Sequence, residues 1–200
     1  MGIFYTNITL FKAERDQVVN SLKKEKRIAY ISPKQESFIV VYDKETEDQD
    51  PKILADLTSK LSKALRCNAL ASLVHDGDVF YYWLYEKGKL VDKYNSAPDY
   101  FEEVDEPMAP TGGNAKKLCS AFDKQESLSK ISKVFEVAKE TALNIEEDSD
   151  ADLFGEEIHL ELAKFLNMPL FAVNVGYYTI ENNDLPREFE KSSFIQIGSC

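Results

Sequence analysis

Cysteine is scarce in this chain, and long apolar runs and an excess of positive charge are absent. The three cysteines, Cys67, Cys119 and Cys200, are odd in number, and no two stand at metal-ligand spacing. They build neither a disulfide framework nor a zinc site. Together with an N-terminus that does not read as a secretory signal, they lead to the expectation of a reduced, cytoplasmic protein. No stretch has the apolar length that a bilayer-spanning helix needs, so no membrane association is expected. Met1-Gly2-Ile3-Phe4-Tyr5-Thr6 fits a loose myristoylation pattern, but the bulky residues after Gly2 read as a first strand. Catalytic signatures are missing as well: neither Gly-x-Ser-x-Gly nor His-Glu-x-x-His occurs.

Lysine and arginine number 24 against 35 aspartates and glutamates, a net charge of -11. Residues 1–100 carry 15 acidic and 15 basic side chains and residues 101–200 carry 20 and 9, so the second half holds the whole imbalance. A field of that sign repels phosphate backbones, which argues against nucleic acid and favours a basic protein as partner. At 44% hydrophobic and 12% aromatic residues, 200 residues supply a core without metals or disulfides.

What is present is organised around Val79–Glu86, Val-Phe-Tyr-Tyr-Trp-Leu-Tyr-Glu, which holds the only tryptophan and three of the ten tyrosines. Alternation puts Val79, Tyr81, Trp83 and Tyr85 on one face and Phe80, Tyr82 and Leu84 on the other. Both faces are apolar, so the strand is expected inside a sheet and covered on both sides. Asp76-Gly77 before it and Lys87-Gly88 after it are hairpin signals, giving a three-strand meander over Asn68–His75, Val79–Glu86 and Lys89–Tyr94. Upstream, Gly2–Phe11 reads as a strand, Ala13–Lys24 as a helix, Arg27–Ser32 and Ser37–Tyr42 as strands, and Asp43–Asp50 as a charged loop. Asp50-Pro51 starts a helix to about Arg66 with Leu54, Leu57, Leu61 and Leu65 as its inner stripe.

This order, β-α-β-β-α-β with a further hairpin, predicts an α+β protein: a ferredoxin-like split βαβ sheet extended from its fourth strand. Residues 1–106 form the sheet domain and Pro107–Gly113 is the connecting segment. Residues 114–180 are a mainly helical lobe, packed on the sheet's other face as part of the same folding unit. Its helices are predicted over Asn114–Phe122, Gln125–Thr141 and Leu153–Asn167, followed by a short strand over Leu170–Val175. Ser193–Cys200 has no assigned place.

Four places can carry chemistry. His75-Asp76-Gly77-Asp78 brings a histidine beside two carboxylates, the materials of a metal site or a base and its orienter, although turns favour aspartate on their own account. Glu146 to Asp152 is acidic. Asp148, Asp150 and Asp152 fit the first positions of a calcium loop, but Leu153 stands where glycine is needed and His159 where glutamate is needed, so an EF-hand is rejected. Thr111-Gly112-Gly113-Asn114 precedes a helix and matches no phosphate-binding fingerprint; it reads as capping. Asp92 to Phe101 is aromatic yet irregular; its tyrosines and asparagine can form a recognition surface, although Tyr100-Phe101 read rather as a plug closing the end of the sheet. His159, between acidic residues, reads as a surface residue.

The strings His75-Asp76-Gly77-Asp78-Val79-Phe80-Tyr81-Tyr82-Trp83-Leu84-Tyr85 and Leu90 to Ser96, with Pro98, Tyr100 and Phe101, resemble a family of uncharacterised bacterial proteins of about this length, found in cyanobacteria among others. Gly112-Gly113-Asn114-Ala115 and Gly176-Tyr177-Tyr178 extend the resemblance to the second half. It implies a bacterial cytosolic protein and carries no activity, catalytic residue or cofactor with it. The expectation is therefore a non-enzymatic acidic interaction protein, of inhibitor or immunity type, that meets a basic partner. Its candidate partner surface is Glu146, Glu147, Asp148 and Asp150, and its candidate binding residues are His75, Asp78, Asp92, Asn95 and Tyr100. No metal or cofactor is expected. The alternative is an enzyme or small-ligand protein with a pocket between sheet and helical lobe, bordered by His75, Asp78, Asp92 and Asn95.

Overall fold

In the computed structural model, which describes residues 2–102, 106–143 and 153–198, Val79–Glu86 is a strand with the predicted bounds. It pairs antiparallel along its whole length with Asn68–His75 and on its other side with Lys89–Asn95. Both hairpins form where glycine permits them. Asp76 and Gly77 take φ of 55° and 80°, Lys87 and Gly88 φ of 50° and 87°, the left-handed pairs that match the twist of the strands they join.

The strands are β1 (Tyr5–Phe11), β2 (Ala29–Ile31), β3 (Phe38–Asp43), β4 (Asn68–His75), β5 (Val79–Glu86), β6 (Lys89–Asn95), β7 (Thr111–Gly112) and β8 (Ile195–Ile197). They form one antiparallel sheet in the order β7-β6-β5-β4-β1-β3-β2-β8. Its centre, β4-β1-β3-β2, is the ferredoxin-like arrangement, and the β5–β6 hairpin extends it from β4. The second half of the chain supplies a short strand at each edge. β7 lies within the segment expected to be a connector. β8, part of the unassigned tail, pairs Ile195, Gln196 and Ile197 with Ile31, Tyr30 and Ala29, so β6 and β2, the ends of the first-half sheet, are both covered.

Two helices, α1 (Arg15–Lys24) and α2 (Pro51–Leu65), cover one face. The Asp50 side chain accepts from the Lys52 amide and Pro51 opens α2, the predicted start. Leu54, Leu57 and Leu61 are buried against Ile8, Leu10, Ile39, Val41, Ala69 and Ala71. The other face carries the helical lobe: α3 (Ala115–Ala121), α4 (Leu128–Leu143), α5 (Gly155–Leu166) and α6 (Tyr177–Glu181). Phe80, Tyr82 and Leu84 point into this lobe, while Tyr81 and Trp83 lean on the α1–α2 core. That is the division the alternation predicts. No helix among the described residues is long and apolar enough to cross a membrane.

Leu170–Val175 is not a strand. Leu170–Ala172 is a single 3-10 turn, and Asn174 takes φ of 57°. Its carbonyls find partners outside any ladder: Tyr42 donates its hydroxyl to the Phe171 carbonyl, and Asn7 Nδ2 donates to Ala172 at 2.8 Å and Val175 at 3.2 Å. An apolar run reads as a strand from sequence, but buried side-chain donors can satisfy an irregular backbone equally well.

Candidate functional site

At the C-terminal end of β4 the chain collects aromatic rings around a histidine. His75 shares a face with Leu73 and so lies on the α2 side of the sheet. Its Nδ1 is 2.6 Å from Gln49 Oε1. Gln49 Nε2 donates to the Val74 carbonyl at 2.7 Å, which orients the amide. Nδ1 is therefore the donor, which makes Nε2 the free nitrogen and the acceptor in the tautomer this contact selects. Phe4 meets the ring edge-on at 4.9 Å, Phe101 at 5.0 Å and Tyr100 at 5.8 Å. Phe4 is 50% and Phe101 67% exposed, so these rings do not close the end of the sheet as a plug. They stand open beside a cleft of about 570 Å³.

Glu47, Asp48 and Tyr81 also border the cleft, and among the described residues no lysine or arginine does. Glu47 and Asp48 belong to a 3-10 turn, Glu45–Asp48, whose next residue, Gln49, takes φ of 58°. That turn carries the chain into α2 and aims Gln49 back at His75. The Glu47 carboxylate accepts from the backbone amides of Tyr177 and Thr6. Burial nevertheless pushes its pKa up to about 7; the two amides pull it down, and Asp43 and Asp48 push it further up. Asp48 is exposed and has no ion pair among the described residues.

The candidate residues divide. His75 borders the cleft, and Tyr100 meets the His75 ring without lining the cleft itself. Asp78 and Asp76 stand behind Tyr100, each with Oδ2 at 3.4 Å from its hydroxyl. Asn95 pairs across from Tyr81, donates a side-chain hydrogen bond to its phenolic oxygen and accepts through Oδ1 from the Ala97 amide at 3.0 Å. Asp92 lies on the opposite face, where it accepts from the Tyr82 hydroxyl at 2.6 Å and the Asn114 amide at 2.8 Å, tying β6 to the start of α3. His75, Asp78, Asp92 and Asn95 thus do not enclose one pocket between sheet and lobe. Asp92 and Asn95 are three residues apart on a strand, which puts them on opposite faces. Glu146, Glu147, Asp148 and Asp150 lie outside the described residues.

His159 is not a surface residue. It is fully buried on α5, stacked on Phe80 at 4.9 Å and on Tyr5 at 5.7 Å. The Tyr5 hydroxyl is 2.6 Å from Nδ1 and the Ser72 hydroxyl 3.3 Å from Nε2. Burial holds it neutral, with its pKa pushed down to about 3. The signal was in the spacing: Gly155, His159 and Ala163 form a buried row beside Ile158, Leu162 and Leu166, and the flanking glutamates obscured it. Gly155 is required there because a Cβ would come within 2.5–2.7 Å of the Asp78 and Val79 backbone.

No group of three or more His, Cys, Asp or Glu side chains that could hold a metal occurs among the described residues. Cys67 and Cys119 are buried and unpaired, and burial raises the Cys67 thiol to about 11, away from nucleophilic use. The sequence reading passed over Phe4, Glu47, Asp48, Gln49 and Tyr81. Four of these sit in a strand lead-in or in the charged run before α2, with no signal that these segments would meet. No family model matches the chain, and no curated protein or solved structure matches it.

Proposed function

We propose that the chain is a non-enzymatic, cytoplasmic interaction protein that binds a basic protein partner, in the manner of an inhibitor or immunity protein. The observation that carries this reading is the cleft beside His75, where exposed rings meet the Asp48 carboxylate and, among the described residues, no lysine or arginine lies on the border. Exposed apolar rings favour burial against a partner, and the exposed Asp48 carboxylate, which has no ion pair among the described residues, selects its sign. The net charge of -11 adds a long-range field of the same sense.

The test is a titration of the full chain with a ten-residue peptide of mixed lysine and arginine, followed by calorimetry and by Trp83 fluorescence. Trp83 stacks on Tyr81 at 5.9 Å, and Tyr81 borders the cleft. Saturable one-to-one binding that weakens from 20 to about 300 mM salt is expected, since screening shortens the reach of exposed charge. Equal binding of a peptide with its charges removed, or no saturable binding at 20 mM salt, overturns the reading.

A further inference from the structure

We infer that the cleft beside His75 receives the guanidinium group of an arginine side chain from that basic partner. The inference rests on the proposed function and specifies its contact. Three features of the cleft converge on this chemistry. Phe4, Tyr81 and Phe101 offer ring surface, and aromatic rings attract cations. Asp48 offers an exposed carboxylate. His75 offers Nε2 as an acceptor, because the bond from Nδ1 to Gln49 fixes the other nitrogen as donor. A ligand that uses all three needs two apolar faces, a positive charge and N–H donors pointing in more than one direction. A guanidinium has that shape: planar, charged at every working pH, with donors around its rim and weakly hydrated faces. An ammonium is a compact and strongly hydrated point charge, and it has no flat face to set against a ring.

The site's own contacts support an acceptor role rather than self-closure. Gln49 is engaged by His75 and the Val74 carbonyl, and Glu47 by the amides of Tyr177 and Thr6. Asp48 and Nε2 of His75 remain for a ligand. The aspartates behind Tyr100, Asp76 and Asp78, extend the negative rim away from the cleft.

The experiment uses the full chain labelled with nitrogen-15 and titrated with Nα-acetyl-arginine methylamide, its lysine counterpart and its uncharged citrulline counterpart. The arginine probe is expected to shift the amides of Asp48, Gln49, His75, Tyr81 and Phe101 saturably. The lysine probe should bind more weakly, and the citrulline probe should leave these amides in place. Asp48→Asn and Phe101→Leu should each weaken the arginine probe about 2- to 5-fold; both side chains are exposed, and an unchanged melting temperature confirms that the variants fold. Shifts confined to other surfaces, an equal response to citrulline or lysine, or unchanged affinity in both variants overturns the inference. If the basic peptide binds while these amides stay silent, the cleft assignment falls and the interaction reading stands. If neither peptide nor probe binds, both fall.

Discussion

The two faces of the sheet are built from different chemistry. Under α1 and α2 the buried side chains are aliphatic: Ile8, Leu10, Ile31, Ile39, Val41, Leu54, Leu57, Leu61 and their neighbours. Under the helical lobe they are dominated by rings, among them Tyr5, Tyr30, Phe38, Tyr42, Phe80, Tyr82, Phe122 and Phe171. The first face is covered by two regular helices that satisfy their own backbones and need only apolar area. The second is covered by four helices of 5 to 16 residues and the turns between them, whose carbonyls and polar side chains need partners. Tyrosine supplies both area and a hydroxyl: Tyr42 bonds the Phe171 carbonyl, Tyr30 bonds Glu181, Tyr82 bonds Asp92 and Tyr5 meets His159. Regular cover can be non-specific in its contacts, whereas irregular cover has to be held at particular atoms.

Truncation should break the comparison most strongly. Phe80→Ala on the aromatic face is expected to cost about 3–5 kcal/mol and Leu61→Ala on the aliphatic face about 2–5 kcal/mol, by lost burial and the cavity left behind. Urea unfolding followed by far-ultraviolet circular dichroism and by Trp83 fluorescence checks both. Coincident transitions in each variant mean that the faces share one cooperative core. Separated transitions mean that the aromatic face can come away from a folded sheet.

Acid should act through the aromatic face. His159 is neutral and buried, and its pKa in the folded state lies near 3, below the ordinary value of 6.5. The unfolded chain therefore binds the proton first, and stability falls as pH drops from about 6.5 towards 3. The slope contributed by this one residue approaches about 1.4 kcal/mol per pH unit. The difference between the chain and His159→Phe, measured by urea unfolding from pH 7 to 4, should shrink or reverse along that range. A constant difference would mean that the ring is hydrated in solution.

Hydroxyl deletion is a smaller change. Tyr42→Phe leaves the Phe171 carbonyl without this donor and is expected to cost about 1–2 kcal/mol. Thr58→Val in α2 loses only a bond to the Leu54 carbonyl of its own helix and should stay within about 0.5 kcal/mol. Equal costs would erase the distinction between addressed and unaddressed cover. Glu47 gives a pH-dependent counterpart, since its folded pKa is raised to about 7. The folded state holds that proton more tightly, so its contribution is present below about pH 4.5 and is lost as pH rises through 7. Relative to Glu47→Gln, the chain should lose stability over that window, opposite in sign to His159, and thermal melts at pH 5 and 8 would show it.

Local rules made much of the fold legible. The Val79–Glu86 strand, both hairpins, the Asp50 cap and the leucine stripe of α2 each follow from the residues beside them. The sheet's extension from β4 follows from their order. The site was legible only in part. His75 and Tyr100 drew notice by type, but their neighbours Phe4, Gln49 and Asp48 arrive from distant segments. Asp92 looked equivalent to Asn95 until the alternation of β6 sent them to different faces. His159 looked polar because glutamates flank it, and the burial of a helix row depends on what lies opposite.

By itself the sequence determined what short range can determine: strand alternation, turns that need a positive φ, helix starts and stripes, and a net charge that repels anions. Tertiary structure alone decided which ends of the sheet would be paired by β7 and β8, that a histidine would be sealed between Tyr5 and Phe80, and that four separate segments would meet as an acidic aromatic cleft. Periodicity and capping are properties of adjacent residues. Convergence depends on the packing of elements far apart in the chain, where burial and hydrogen-bond satisfaction are settled only once both partners are in place.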